Sequence, residues 1–304
     1  MYIKKLIDFA QLLIKSYVLK VLPSRLVGRI SRYRNRGKHL FMDDEFLRYV
    51  YKKKEGIERN LDNINTLVLR GSHADYGVYT NGETGIYNLG LTSSDLYLSY
   101  KLYDKYSQVI DNLDNVIVVL GVPAAGLSLV RTKEKYRLVA YKYFFDIPYQ
   151  IEDQIDKKLE RKIIAKCQKL KNPHLSTGYF GYEAERDFIT EISPEIRAKT
   201  HLRENQRHPN QLGWLQDLIN QVRKDKKNLF IVIPPVKESY ADCLPDKSIL
   251  FRSLFLLDLK NVEVIDFYGS PLFQDKHFGD PDHLNEIGAK RLSNELLSRL
   301  RPLR

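Results

Sequence analysis

Two cysteines, Cys167 and Cys243, are all that 304 residues contain, too few for a disulfide framework and without the spacing of a zinc site. A reducing compartment is the expectation that follows. The chain also lacks a long apolar run. The longest charge-free apolar stretch, Val116 to Val130, is 15 residues broken by Gly121, Pro123 and Gly126, whereas a bilayer span needs about 20. Asp8 and Lys15 leave only Phe9 to Ile14 between charges, too short for a secretory core, and no small-residue cleavage site follows. The cytoplasm is therefore the expected location. Neither G-x-x-x-x-G-K-[ST] nor G-x-G-x-x-G occurs, which removes the phosphate-loop and dinucleotide readings. Low complexity and internal repeats are missing too, so fibrous and solenoid classes fall away.

What is present is a 43% hydrophobic content, enough for one large domain or a compact domain with a sizeable insertion. The formal charge is +11, and its distribution matters more than its size. Up to Lys38 there are ten basic residues against Asp8 alone, which accounts for +9 and leaves the remaining chain nearly balanced at +2. A nucleic-acid-binding body is not expected from that balance. Ile3, Leu6, Ala10, Leu13 and Tyr17 recur at helical steps before Pro23. Residues 1–40 thus read as a basic amphipathic segment, and 41–304 as the globular domain. Each Lys or Arg near an anionic leaflet contributes about 1 kcal/mol, so the segment can hold the protein peripherally on the inner membrane face. A helix packed on the domain with its charges solvated stands equally with that reading, ahead of an arm for nucleic acid or a protein partner.

From Thr66 onward, short apolar runs alternate with helical patterns. The runs are Thr66–Leu69, Ile86–Asn88, Val116–Leu120, Phe230–Ile233 and Val262–Phe267. Ser93, Ser94 and Asp95 supply caps for a helix reaching Tyr106, and a helix with Leu215, Leu218 and Val222 on one face precedes the fourth run. This alternation predicts an α/β fold, a doubly wound, mostly parallel five-stranded sheet. Ligands in such sheets bind beyond the carboxyl ends of the strands. Roughly 110 residues separate strands three and four, far more than a crossover requires, so a large helical insertion is expected at about 121–229. A lid or substrate wall and a purely stabilising subdomain both fit it.

Gly71-Ser72 follows the first strand, where a hydroxyl can sit at a helix start beside free backbone N–H groups. By itself this is an ordinary turn and cap. Its support lies in Gly279-Asp280-Pro281-Asp282-His283-Leu284-Asn285, ahead of a last helix with Ile287, Leu292, Leu296 and Leu300 on its expected buried side. Asp280 and His283 are three apart, close enough for the carboxylate to orient the imidazole while the other ring nitrogen takes the serine proton. Two rival readings remain. Asp275, His277, Asp280, Asp282 and His283 form an oxygen- and imidazole-rich group that could bind a divalent ion, although no H-E-x-x-H pattern supports a metal site. Alternatively, Asp280 caps the last helix and His283 packs beneath it. His73 has no partner identifiable from sequence.

Taken in order, these blocks resemble the SGNH (GDSL-like) hydrolase superfamily, and specifically its divergent branch associated with bacterial polysaccharide biosynthesis. Gly71-Ser72-His73 looks like the first block, Tyr87-Asn88-Leu89-Gly90 leading to Ser93-Ser94-Asp95 the second, and Asp280-Pro281-Asp282-His283 the last block's D-x-x-H. The resemblance implies a triad of Ser72, His283 and Asp280, with an oxyanion hole built from Ser72 and Ser94, Ser94 standing where the second-block glycine is usual. The third block's G-x-N-D asparagine is missing, since Gly121-Val122-Pro123-Ala124 stands there, and Asn88 is the nearest replacement donor. One lost oxyanion donor typically costs about 2.7 to 4 kcal/mol.

The expected activity is serine-dependent acyl chemistry on a carbohydrate or polysaccharide, as an esterase if water accepts the acyl group or an O-acetyltransferase if a sugar hydroxyl does. No cofactor is required; acyl-CoA is a candidate donor. A non-catalytic glycan-binding or assembly protein of the same fold is the alternative.

Overall fold

A computed structural model of the chain describes residues 44–148, 155–183, 188, 192–205 and 211–300. By its internal contacts the chain divides after Asp43, and the described residues all lie in the second unit. The basic segment at 1–40 lies outside the described residues.

Five strands form one sheet: β1 (Thr66–Leu69), β2 (Ile86–Asn88), β3 (Asn115–Val119), β4 (Asn228–Ile233) and β5 (Val262–Asp266). All pairings are parallel, in the order β2-β1-β3-β4-β5. The central strands β1 and β3 are buried along their whole length, which is why their sequences are unbroken aliphatic runs rather than alternating ones. At the edge, β5 is mostly half-buried or exposed and tolerates Glu263 and Asp266. Strands β3 and β4 begin earlier than their apolar runs because a polar ladder ties their starts together. The Asn115 amide donates to Thr66 Oγ1 (3.2 Å) and accepts from the Asn228 amide (2.9 Å), so both asparagines belong to the sheet.

The helices are α1 (Asp44–Arg59), α2 (Ser72–Gly77), α3 (Leu96–Tyr106), α4 (Arg137–Phe145), α5 (Lys157–Gln168), α6 (Pro194–Asn205), α7 (Gln211–Lys224), α8 (Glu238–Ala241), α9 (Lys247–Leu250) and α10 (Glu286–Leu297). Side chains alternate across the sheet, so each face is an independent apolar surface. On one face, α3 and α7 pack against each other and the sheet. On the other, Val68, Ile117, Val119, Phe230 and Val232 share a core with Ala74 of α2 and Leu292 and Leu296 of α10. Helices on both faces of a parallel sheet make this a doubly wound α/β fold. The buried stripe of α10 is Ala289, Leu292, Ser293 and Leu296, and Ile287, expected inside, is 60% exposed because it lies off that stripe.

Among the described residues between β3 and β4 there are four α-helices, α4 to α7, of which α7 serves as the crossover and α4 to α6 are additional. Helix α4 packs on α1 and α5, while α6 packs on the turn at Val122–Ala125 after β3 and on α8. No helix among the described residues is long and apolar enough to cross a membrane. The chain turns from β1 to β2 on one side, then returns to β3 on the other, so the topological switch point falls between β1 and β3. There the loops diverge and leave a crevice.

Candidate active site

At the end of β1 the backbone turns sharply. Arg70 takes φ 101°, Gly71 acts as N-cap, and Ser72 opens α2. The Gly71 carbonyl accepts from the N–H groups of Ala74 and Asp75, both at 3.0 Å. The Ser72 N–H has no partner among the described residues, as expected at a first helical position.

The last loop brings His283 to this serine. A bridge between Phe278 and Leu284, the Gly279 N–H to His283 carbonyl bond (2.9 Å) and the Lys237 N–H to Pro281 carbonyl bond (3.1 Å) fold Gly279–His283 into a tight turn. His283 Nε2 lies 2.8 Å from Ser72 Oγ, and His283 Nδ1 lies 2.8 Å from Asp280 Oδ2. The other Asp280 oxygen accepts from the backbone N–H groups of Asp282 (3.0 Å) and His283 (2.8 Å), fixing the carboxylate. Burial raises the Asp280 carboxyl, but the hydrogen bond and charge of His283 outweigh it and hold the group below its ordinary value. Asp280 does not cap α10, because Asn285 does so by accepting from the Gly288 N–H at 3.1 Å.

A second carboxylate organises the surroundings, and it had no assigned role beyond the metal reading. Asp282 is 1% exposed and accepts from Arg197 Nε at 2.7 Å, while His73 Nε2 lies 3.0 Å from its other oxygen. Burial pulls its carboxyl up, yet the surrounding His283, His201, His73 and Arg197 hold it well below the carboxylate range. Arg197 and His201 both come from α6, so the insertion supplies one wall of the site. Burial pushes the His201 imidazole down to about 3, and its Nδ1 shares a 2.6 Å hydrogen bond with the Tyr240 hydroxyl. Burial likewise lowers the His73 imidazole, with the Asp282 hydrogen bond opposing only in part. The His73 ring rests against Gly121 after β3, where an added Cβ would stand 2.5 Å from the ring. Only glycine leaves room for it.

The remaining predicted site residues divide. Ser94 lines the same cavity as Ser72, but its N–H is used by the Leu91 carbonyl (2.9 Å); its hydroxyl is buried without a hydrogen-bond partner. Asn88 is not brought to the site. Fully buried, it donates its side-chain amide to the carbonyls of Ala74 (2.9 Å) and Val78 (2.6 Å) and accepts from the Gly90 N–H (2.9 Å), holding α2 to the end of β2. Its donor capacity is spent, so it supplies no oxyanion contact. The metal group of the sequence also dissolves in part. His277 Nδ1 accepts from the Gln274 N–H (2.8 Å) in a local cap, away from the serine. His73, Asp282 and His283 do present ligand atoms within 4.8 Å of one another, but the Arg197 guanidinium already supplies the cation opposite Asp282 and would repel a metal ion there.

Above Ser72 opens a cavity of about 540 Å³, bounded by the β1 and β3 turns, the Arg131–Glu134 segment and α6. The sequence matches no family profile and no curated protein. Among solved structures, a candidate platelet activating factor from Streptococcus pneumonia is similar over 92% of this chain and 100% of its own, at 12% identity and a TM-score of 0.43. A candidate acylhydrolase from Bacteroides fragilis is similar over 77% of this chain and 87% of its own, at 10% identity and a TM-score of 0.38.

Proposed function

We propose that the protein catalyses serine-dependent acyl chemistry on a carbohydrate. The observation that carries this reading is the continuous relay from Asp280 through His283 to Ser72, with both links at 2.8 Å, opening into a cavity. Ser72 Oγ attacks an ester carbonyl as His283 Nε2 takes its proton, and Asp280 stabilises the resulting imidazolium. The Ser72 N–H and the unpartnered Ser94 hydroxyl are the groups at hand for the oxyanion. His283 then returns the proton to the leaving alcohol of an ester, or to the leaving thiol of a thioester donor, leaving an acyl-Ser72. Water completes an esterase cycle, and a sugar hydroxyl completes an O-acetyl transfer, for which acyl-CoA is the proposed donor. No step in this cycle calls for a metal or prosthetic group.

The second reading, a glycan-binding or assembly protein without turnover, draws on the thin oxyanion hole left by Asn88 and the occupied Ser94 N–H. A fluorophosphonate probe with peptide mapping separates the two. Labelling of Ser72, cleavage of a chromogenic acetyl ester and a loss of about 10⁴-fold or more in Ser72→Ala are expected for the enzyme. Adding a glycan acceptor diverts acyl groups from water only in a transferase. Ester cleavage unaffected by Ser72→Ala would overturn the mechanism.

A further inference from the structure

We infer that the cavity beside Ser72 binds a compact oxyanion, a carboxylate or phosphate group carried by the substrate, and that Arg70 is the residue at its floor. Arg70 is 4% exposed and lines the cavity two positions before the serine. Its terminal nitrogens donate to backbone carbonyls, Nη1 to Ser94 and Nη2 to Ala124 at 3.2 Å, while Nε is buried with no partner. No carboxylate among the described residues stands within ion-pair distance of it. The charge that acts on it most is Asp95, whose two oxygens are already taken by the N–H groups of Leu98 (3.1 Å) and Leu129 (2.8 Å). Burial pulls the guanidinium down to about 10, so it remains a cation at neutral pH.

A buried cation without a counter-ion costs several kcal/mol. Here the chain accepts a further cost, because a non-glycine residue at φ 101° is strained. The charge cost is offset if an anion enters the cavity that the Arg70 guanidinium lines. The rim favours the same sign. Lys133 and Arg203 line the cavity and are exposed, with no carboxylate partner among the described residues. Of the two acids lining the cavity, Glu134 is bound to Ser93 and lies 3.4 Å from Arg137. Neutral sugars and plain acetate esters leave these cations unmatched; an acidic sugar, a phosphorylated glycan or a nucleotide-bearing acyl donor does not.

This inference rests on the serine-hydrolase reading only for which molecule carries the anion, and its test is a binding test. Inorganic phosphate is titrated into the full chain and into Ser72→Ala by calorimetry and thermal shift. Both are expected to bind and to gain melting temperature, with the effect falling as salt rises. Arg70→Gln removes a charged hydrogen bond worth about 1.5 to 3 kcal/mol, so affinity drops roughly 10- to 100-fold. Arg70→Lys keeps the charge and restores part of it. Should Arg70→Gln misfold, the rim double variant Lys133→Gln/Arg203→Gln carries the test on a surface the fold does not need, and its phosphate affinity falls as well. Coenzyme A and galacturonate as inhibitors of acetyl-ester cleavage distinguish a donor phosphate from an acceptor carboxylate. Absence of phosphate binding, or binding indifferent to both Arg70→Gln and the rim variant, overturns the proposal. Phosphate binding without fluorophosphonate labelling would retain the anion site and reject the acyl chemistry.

Discussion

Helix α2 carries a buried charge cluster at each side, and the two are built from different materials. Ser72, at its start, meets His283, which together with His73 surrounds the Asp282 carboxylate beside an open cavity. Asp75, three residues on, meets Lys53 in an ion pair of 2.6 Å in which both side chains are fully buried. Tyr49 donates to the same carboxylate at 2.9 Å, and Lys53 also donates to the Asn88 carbonyl at 2.9 Å, joining α1 to α2 and β2. Ions paired in a site sealed from solvent can hold elements together, but they can neither exchange a proton with a substrate nor admit one. Imidazoles beside space can do both. Buried charge is therefore no mark of function by itself; a titratable group that reaches a cavity is.

The comparison is sharpened most by Asp280→Asn. The amide cannot hold the imidazole in the required tautomer or stabilise its cation, so ester cleavage should fall about 10⁴-fold while the denaturation midpoint moves little. Retained turnover would erase the distinction between the clusters. On the other side, Lys53→Met leaves the Asp75 carboxylate buried without its cation and should cost about 3 to 5 kcal/mol of stability in urea denaturation. Activity per folded molecule should survive, and its collapse would mean that the ion pair serves the reaction. The smallest effect is in pH. In the unfolded chain His201 binds a proton near its ordinary value of about 6.5, whereas in the fold it stays neutral down to about 3. The unfolded state thus holds more protons in that window, and stability is lost as the pH falls through it. From pH 7 to 5 His201 should account for about 2 kcal/mol, and His201→Gln should flatten the decline by that amount. His73, also lowered, adds to the slope, while Asp280 and Asp282 contribute in the same direction only nearer pH 4 and below.

What could be read from the chain was what is local in it. The five strands stood out because parallel strands buried on both faces are continuous aliphatic runs, and the D-x-x-H spacing placed Asp280 and His283 in one turn. The strand starts at Asn115 and Asn228 were missed because a cross-strand amide ladder, not hydrophobicity, extends them. Asn88 was misjudged for the opposite reason: nothing in its neighbourhood reveals that Ala74, Asp75 and Val78 consume its amide. The Asp282 cluster was out of reach because Arg197 arrives 85 residues before it in the chain, from a helix within polar sequence that carries no motif. Lys53 left a faint trace. Leu47, Val50 and Ile57 set an apolar stripe on α1, and a lysine on that stripe calls for a hidden carboxylate.

The contact between Gly121 and His73 makes a position without any side chain a veto over the chemistry next door. A single methyl at 121 would have to evict an aromatic ring that is tethered to Asp282, and that carboxylate is gripped in turn by Arg197. Residue 121 can therefore be enlarged in descendants of this protein only at the expense of the place that the His73 ring holds beside Asp282.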